Sequence, residues 1–307
     1  PAKPGELTKL VVALDWFPWG RSIPYFVGVQ KGYFAEENLE LEFIPTYATS
    51  DREIGTKAAD IGETSGSAGP FILQVAQGLP IKAICGEFQG ADYGFMGRLD
   101  INPHIKSAQD MAGTTLALKP GINTDLGIAF LTKAGLLDKV EIVTMEGGAG
   151  VGAVLQGTID AIFTLAGTEP YFDHVGGYWF VRSQDVGLDL FPTFMVAHND
   201  LINNRPEVVK AFVRAYLKGF SDALADPEAG VDALVELNEE INRPQELRAF
   251  QFLAAGGLVT KNTEGKPLGW MSEKDWEASQ NTLVQWSQTI TITPRPLSDY
   301  FTNEFLP

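Results

Sequence analysis

The chain has 307 residues, of which 45% are hydrophobic and 11% aromatic, the composition of a folded protein large enough for two domains. Asp and Glu (39) outnumber Lys and Arg (23), and the net charge of −16 disfavours binding to nucleic-acid backbones or anionic membrane surfaces. No apolar run approaches the roughly 20 residues of a membrane-spanning helix. The sequence therefore predicts a two-lobed globular protein with no nucleic-acid partner.

Short apolar runs alternate with amphipathic stretches in the first part of the chain. LVVAL (10–14), LELEF (39–43) and IKAIC (81–85) indicate strands, and the stretches 24–37 and 71–77 between them indicate helices. This βαβ rhythm predicts an open, mainly parallel sheet with helices on both faces.

The same rhythm begins again in the middle of the chain. TLAL (115–118), EIVTM (141–145) and IDAIF (159–163) indicate strands, and the stretches 124–134 and 150–156 indicate helices. We interpret this block as a second α/β lobe.

Two extended, aromatic segments flank the second block. We predict that YGFMGRL (93–99) and FPTFMVAH (191–198) are the crossovers between the lobes. Lobe one would then comprise residues 7–95 and 198–307, and lobe two residues 96–197.

The last third of the chain is helical in pattern. Pro206 lies in the first turn of an amphipathic helical segment whose apolar residues extend to Phe220. Ser272 and Asp275 form a capping-box-like start for another helix. We expect these helices to return to lobe one and brace it.

Catalytic and metal-binding patterns are absent from the sequence. His104, His174 and His198 are not spaced as metal ligands, and neither a nucleophile elbow nor a Walker loop, a G-x-G-x-x-G or an H-E-x-x-H motif occurs. We therefore predict no metal, no cofactor and no enzymatic activity. The alternative is an enzyme built from carboxylates alone.

An aromatic turn follows the first strand, where open α/β sheets bind ligands. DWFPWGRSIPYF (15–26) carries Trp16 and Trp19, an aromatic pair that could form a platform for a flat ring. Core packing is the alternative, and it is favoured for Phe17 and Phe26. The residues that we assign to ligand binding from this turn are Asp15, Trp16, Trp19 and Tyr25.

Two small-residue turns place hydroxyl and backbone N–H groups where helices begin. They are ETSGSAGP (63–70) and KPGINTDLG (119–127), one in each lobe. Simple helix capping by the serines is the alternative. The candidate hydrogen-bonding residues are Ser65, Ser67, Asn123 and Thr124.

The turn TLAGTEPYFDH (164–174) offers Glu169 close to Tyr171. We predict that both contact the ligand, with Glu169 accepting a hydrogen bond from an amino or ring N–H group. The alternative is that Glu169 is an ordinary carboxylate at a helix N-terminus beside Pro170.

The charges of these turns bear on the ligand. Asp125 lies in a first helical turn and already interacts with the positive end of the helix dipole, which disfavours an anionic ligand there. Glu169 adds another acid, and only Arg21 in the first turn could offset them.

Several long segments together resemble one known family. They are LDWFPWGRSIPYFVGVQKGYFAEENLELEF, GSAGPFILQVAQGLPIKAI, GTTLALKPG, GAVLQGTIDAIF before the Glu169–Pro170 pair, and YFTNEFLP. The chain resembles the NMT1/THI5-like branch of periplasmic binding proteins. Its members include ABC-importer receptors for thiamine-precursor pyrimidines and a riboflavin-binding receptor.

The resemblance implies a fold and a setting. The expected fold is the type-II periplasmic-binding fold, α/β, with two α/β lobes joined by a two-segment hinge. The expected location is extracytoplasmic, in the periplasm or at the cell surface as a lipid-anchored protein, with the targeting segment not present in this chain. The expected partners of the monomer are a small-molecule ligand and ABC permease subunits.

This chain departs from the family pattern in ways that bear on the ligand. Pyrimidine-binding members carry Asn and His after W-F-P, whereas here WGRSIPYF supplies Trp19 and Arg21 and no histidine, which suits a larger ring system such as a flavin. The cysteine-rich iron motif of the family's fungal enzyme is absent.

These observations lead to one main hypothesis about function. The protein is predicted to be a receptor for a planar, nitrogen-containing heteroaromatic vitamin or vitamin precursor, such as riboflavin or a thiamine-type pyrimidine. The alternatives are a sulfonate or nitrate receptor and a pyrimidine-biosynthesis enzyme.

Overall fold

A computed structural model describes residues 7–90, 93–119, 122–188, 193–237, 239–286 and 293–307, and of residues 122, 123, 125, 147 and 286 it describes the backbone only. These residues form ten strands: β1 Thr8–Leu14, β2 Leu39–Pro45, β3 Ile61–Glu63, β4 Ile81–Gly86, β5 Tyr93–Arg98, β6 Thr115–Leu118, β7 Glu141–Thr144, β8 Ala161–Leu165, β9 Tyr178–Arg182 and β10 Phe194–His198.

The helices found in the same ranges lie between and after the strands. They are α1 Ile23–Gln30, α2 Tyr33–Glu36, α3 Ser50–Gly55, α4 Ala68–Ala76, α5 Ile122–Lys133, α6 Gly147–Gln156, α7 Asn199–Asn204, α8 Pro206–Ala225, α9 Pro227–Val235, α10 Arg243–Gly256 and α11 Glu273–Trp286. Short 3-10 helices at Gly20–Ser22 and Glu169–Val175 adjoin the candidate site.

The strands form two five-stranded sheets of the same design. The first has the order β2-β1-β3-β10-β4 and the second the order β7-β6-β8-β5-β9. In each sheet a central strand pairs in parallel with two neighbours, as β1 does with β2 and β3. Each sheet is mixed rather than mainly parallel, because β5 in the second sheet and β10 in the first run antiparallel to both of their neighbours.

Both segments predicted as crossovers contain strands. Tyr93–Arg98 pairs wholly within the second sheet, and Phe194–His198 pairs wholly within the first. The chain thus passes between the sheets in the segments that precede these two strands. The lobe boundaries at 95/96 and 197/198 stay a prediction.

The C-terminal helices pack against the first sheet. α8 lies on α1 with an apolar face that includes Phe212, Tyr216 and Phe220, all fully buried. In α11, Trp276 stacks on Phe301 with ring centroids 5.2 Å apart, and Phe301 bridges to Ala83 in β4. Trp276 and Phe301 therefore belong to the same hydrophobic core as the buried side chains of β1. Within the described ranges, no helix has the length and apolarity that crossing a bilayer requires.

Candidate ligand-binding cleft

A cleft of about 330 Å³ lies where strands of both sheets end. Its volume falls in the range of small-molecule sites. The first-sheet side is formed by the turn after β1 and by residues following β2 and β3, and the second-sheet side by residues following β6 and β8 and by α6. The lining residues are Asp15, Trp16, Phe17, Trp19, Ala48, Ser65, Tyr93, Lys119, Gly148, Val151, Gly152, Leu155, Thr164, Leu165, Thr168 and Tyr171.

Trp16 lines the cleft and packs against two other aromatic rings. Its ring meets Tyr47 edge-on at 5.3 Å and Phe17 at a tilt at 5.4 Å between ring centroids. From the second-sheet side, α6 comes close enough that a Cβ on Gly148 would lie 3.8 Å from Trp16 Cζ2. The small residues of α6 thus allow elements of the two sheets to meet at this indole.

A strained turn supports the same wall. Tyr47 and Ala48 both adopt positive φ angles, 51° and 68°, which are uncommon for residues other than glycine. The Ala48 N–H donates to the Asp15 carbonyl oxygen at 2.5 Å, and Ala48 itself lines the cleft. Strain of this kind concentrates at ligand sites, where the surrounding structure maintains it.

Below the aromatic turn lies a buried guanidinium. Arg21 is 0% exposed, and its Nη1 donates to Asp15 Oδ2 at 2.9 Å and to the Thr64 carbonyl at 3.2 Å. Its Nε and Nη2 donate to Glu87 Oε2 at 3.0 and 2.5 Å. The expectation that Arg21 could offset the acids by facing an anionic ligand is therefore not met. Its donors are directed to Asp15 and Glu87 inside the protein.

Glu63 completes this buried group. Its Oε2 accepts from the Asp15 N–H and its Oε1 from the Ser22 hydroxyl, each at 3.0 Å. Burial raises the pKa of Glu63 well above its usual value, and Arg21 opposes the rise. Burial likewise raises the pKa of Glu87, again against the effect of Arg21. The group fixes the position of Asp15 at the edge of the cleft.

The structure brings half of the predicted site residues together. Those that line the cleft are Asp15, Trp16, Trp19, Ser65 and Tyr171. Trp19 is only 6% exposed, and its Nε1 donates to Asp15 Oδ1 at 3.4 Å. The Ser65 Oγ accepts from the Asp51 N–H at 2.9 Å and lies 3.0 Å from Ser50 Oγ.

Other predicted residues lie behind the lining. The Tyr25 hydroxyl, fully buried, donates to Glu87 at 3.3 Å. Ser67 is buried at the N-cap of α4 without a side-chain capping bond, and its Oγ has no partner among the described residues. The Thr124 hydroxyl donates to the Lys119 carbonyl at 2.6 Å. The side chains of Asn123 and Asp125 lie outside the described residues.

Glu169 is buried within its own turn. One carboxylate oxygen accepts from the Gly167 N–H, and Oε1 has no partner among the described residues. Burial raises the pKa of Glu169 to about 7, and the backbone hydrogen bonds partly oppose the rise. The neighbours Thr168 and Tyr171 line the cleft, whereas Glu169 does not. A ligand contact for Glu169 stays a prediction.

Much of the lining on the second-sheet side of the cleft was not predicted from the sequence. Lys119 follows β6 directly, and Thr164 is the penultimate residue of β8, positions that the rule on strand ends could have indicated. The glycine-rich start of α6, GGAGVG (147–152), was a further signal. Within the described ranges, no group of three His, Cys, Asp or Glu side chains is arranged to hold a metal ion.

A hydrogen-bonded bridge joins the two sides of the cleft. Glu246 in α10 accepts from the Tyr171 hydroxyl at 3.4 Å and from the Gly20 N–H at 2.8 Å. Arg248, two residues further along α10, forms an ion pair with Asp173. Because α10 packs on α9 and on Gly20–Ser22, these contacts tie the second-sheet segment Glu169–Val175 to the first-sheet side.

We expect Glu246→Ala to loosen this bridge. A hydrogen bond of this kind contributes about 1 kcal/mol, so ligand affinity should fall roughly 5-fold and the ligand-free protein should show a larger radius of gyration. Small-angle scattering and calorimetry measure the two effects, and Glu236→Ala, at an exposed position beyond α9, is the control. An unchanged radius and affinity would show that the bridge does not hold the lobes together.

Comparison with solved structures identifies the class of fold. The alkanesulfonate-binding protein SsuA from Xanthomonas axonopodis pv. citri, solved bound to MOPS, superposes with a TM-score of 0.72 over 97% of this chain and 99% of that chain, at 12% identity. Two mixed sheets with a cleft between them are thus the periplasmic-binding-protein fold, as the sequence predicted.

Comparison with sequences identifies the family. The sequence model of the family described as NMT1/THI5 like matches residues 19–230, and the chain belongs to this family. The riboflavin-binding protein RibY of Chloroflexus aurantiacus is 25% identical over 98% of this chain and 87% of its own length. The formylaminopyrimidine-binding protein of Halalkalibacterium halodurans is 25% identical over 91% of this chain and 84% of its own length.

Proposed function

We propose that the protein is the extracytoplasmic solute receptor of an ABC importer and that its ligand is a planar, nitrogen-containing heteroaromatic vitamin or precursor. The observation that carries the proposal is the aromatic cleft between the sheets. Trp16, Phe17, Trp19, Tyr93 and Tyr171 all line it. Aromatic side chains bind flat rings by offset or edge-on stacking, so this lining suits a heteroaromatic ring.

The relatives support the same ligand class. Two of them are named as binding proteins for riboflavin and formylaminopyrimidine, both nitrogen heteroaromatics, and each aligns with most of this chain. On this proposal the partners are the ligand and the permease subunits that receive it, and the lobes close on the ligand by a hinge motion.

The alternative ligand class is a sulfonate-type anion. It is favoured by the likeness to SsuA and by the presence of Lys119 in the cleft. Against it, Asp15 lines the same cleft, Arg21 is engaged inside the protein, and the chain carries a net charge of −16. Among the described residues that line the cleft, a free anion would therefore meet one cation and one carboxylate.

A thermal-shift panel separates the two classes. Riboflavin or 4-amino-5-hydroxymethyl-2-methylpyrimidine is expected to raise the unfolding midpoint by binding the folded state, while taurine, alkanesulfonates and nitrate leave it unchanged. Strong stabilisation by a sulfonate or nitrate, with no effect of the heteroaromatics, would overturn the proposal. Recovery of unchanged ligand after incubation supports a receptor, whereas turnover would favour an enzyme.

A further inference from the structure

Two oppositely charged side chains enter the cleft from different sheets. Asp15 follows β1 of the first sheet, and Lys119 follows β6 of the second. The two form no ion pair, and the Lys119 amino group has no hydrogen-bond or ion-pair partner among the described residues. Burial lowers the pKa of Lys119, and the nearby charge of Asp15 partly opposes this shift. The amino group thus lies within electrostatic range of the carboxylate and forms no direct bond to any described residue.

Asp15 is held in place more firmly than an ordinary surface carboxylate. Arg21 donates to its Oδ2, Trp19 donates to its Oδ1, and its own N–H donates to Glu63. Its side chain is still 15% exposed. A carboxylate offers about four acceptor positions, so these two side-chain bonds leave capacity for a further donor.

The two groups have complementary hydrogen-bonding abilities. The Lys119 ammonium can only donate, and the Asp15 carboxylate can only accept. A ligand that satisfies both must present an acceptor to one wall of the cleft and a donor to the other. A simple sulfonate or nitrate satisfies Lys119 alone and places negative charge near Asp15.

We infer that Asp15 and Lys119 together recognise the polar edge of the ligand ring, with Lys119 donating to a carbonyl oxygen or ring nitrogen and Asp15 accepting from an adjacent N–H or amino group. This inference rests on the proposed function and narrows its ligand class. The class is heteroaromatic rings with an imide, lactam or amidine-type edge. The imide of riboflavin and the aminopyrimidine edge both have this pattern.

The test compares ligands that differ only at that edge. For riboflavin the probe is its N3-methyl derivative, and for 4-amino-5-hydroxymethyl-2-methylpyrimidine it is the 4-dimethylamino analogue. The parent ligand that binds and its methylated analogue are each titrated into the wild-type protein, and binding is measured by calorimetry or by ligand fluorescence. Methylation removes the donor and leaves the ring in place, so we expect affinity to fall at least 10-fold.

Two variants then assign the roles. Lys119→Met keeps most of the length of the side chain and removes the charge. It should weaken binding of the parent ligand at least 10-fold without changing the unfolding midpoint of the free protein. Lys106→Met, at an exposed position outside the cleft, is the control and should bind normally. In Asp15→Asn the difference in affinity between the parent and the methylated ligand should be smaller than in the wild type.

The outcomes distinguish the inference from the proposed function. If a parent heteroaromatic binds tightly, but neither its methylation nor Lys119→Met changes the affinity, the inference is overturned and the proposed function stands. If neither heteroaromatic binds the wild type, both fail. If a sulfonate binds and depends on Lys119, the lysine is an anion site and the paired role with Asp15 is wrong.

Discussion

Trp16→Ala is expected to weaken ligand binding about 10-fold or more while leaving the free energy of unfolding within about 1 kcal/mol of the wild type. The Trp16 ring is half-buried in the cleft wall, so its loss removes a stacking surface and the apolar area that the ligand would cover. Calorimetric titration of the stabilising heteroaromatic measures the affinity, and urea unfolding measures the stability.

Trp16 gives a cleaner test than Trp19. Trp19 is almost wholly buried in the core and donates to Asp15, so its truncation would also destabilise the fold. Trp270→Ala is the matched control, because Trp270 is another half-buried indole, lining a groove away from the cleft. If Trp16→Ala binds as tightly as Trp270→Ala, the aromatic platform is not where the ligand lies.

Arg21→Met is expected to lower the free energy of unfolding by about 3–5 kcal/mol at neutral pH. The substitution leaves Asp15 and Glu87 without the guanidinium that bonds both of them. Removing one member of a buried charge group leaves the remaining charge without compensation, which is costly in a low-dielectric interior. Equilibrium unfolding in urea or guanidinium chloride measures the loss.

An exposed arginine provides the matched control for this loss. Arg243 also pairs with two carboxylates, Glu228 and Asp232, but its side chain is 37% exposed. Arg243→Met should lower the free energy of unfolding by less than about 1 kcal/mol, since water screens such pairs. Equal losses in the Arg21 and Arg243 variants would mean that burial of the cluster does not set its strength.

The Arg21→Met deficit should depend on pH. Burial raises the folded-state pKa of Glu63 and Glu87 above the usual 4.5, and Arg21 restrains both pKa values. A raised carboxyl pKa contributes stability that is fully present below the unfolded-state pKa and is lost as pH rises through the folded-state pKa. Without Arg21 this loss is larger, so the deficit should shrink between pH 7 and pH 5. A deficit independent of pH would contradict this account.

Local sequence patterns predicted much of the fold. LVVAL and LELEF lie within β1 and β2, and the predicted helix at 24–37 appears as α1 and α2, divided near Gly32 with its φ of 74°. The three-residue strand β3 and the strand β9 were not predicted. β3 is too short to produce a periodic pattern, and it gains its place only by pairing with β1 and β10.

The candidate site was less predictable because its polar contacts join distant parts of the chain. The rule on strand ends led to Asp15 and Ser65, which follow β1 and β3. Glu246, by contrast, lies 226 residues from Gly20, whose N–H it accepts. From the sequence, Arg21 was only a charge in the first turn that could offset the acids, and the fold shows that Glu87 holds it in the interior. Long-range pairing of this kind leaves no local signal.

The order of strands in each sheet also determines which sheet can be completed first during synthesis. The second sheet draws all its strands from one continuous stretch of chain, from β5 to β9. In the first sheet, β10 lies between β3 and β4 and is the neighbour that pairs with β4. Until Phe194–His198 leave the ribosome, β3 and β4 keep unpaired edges, which are prone to aggregate. The second sheet can therefore be complete first, and the nascent chain is most vulnerable just before β10 is made.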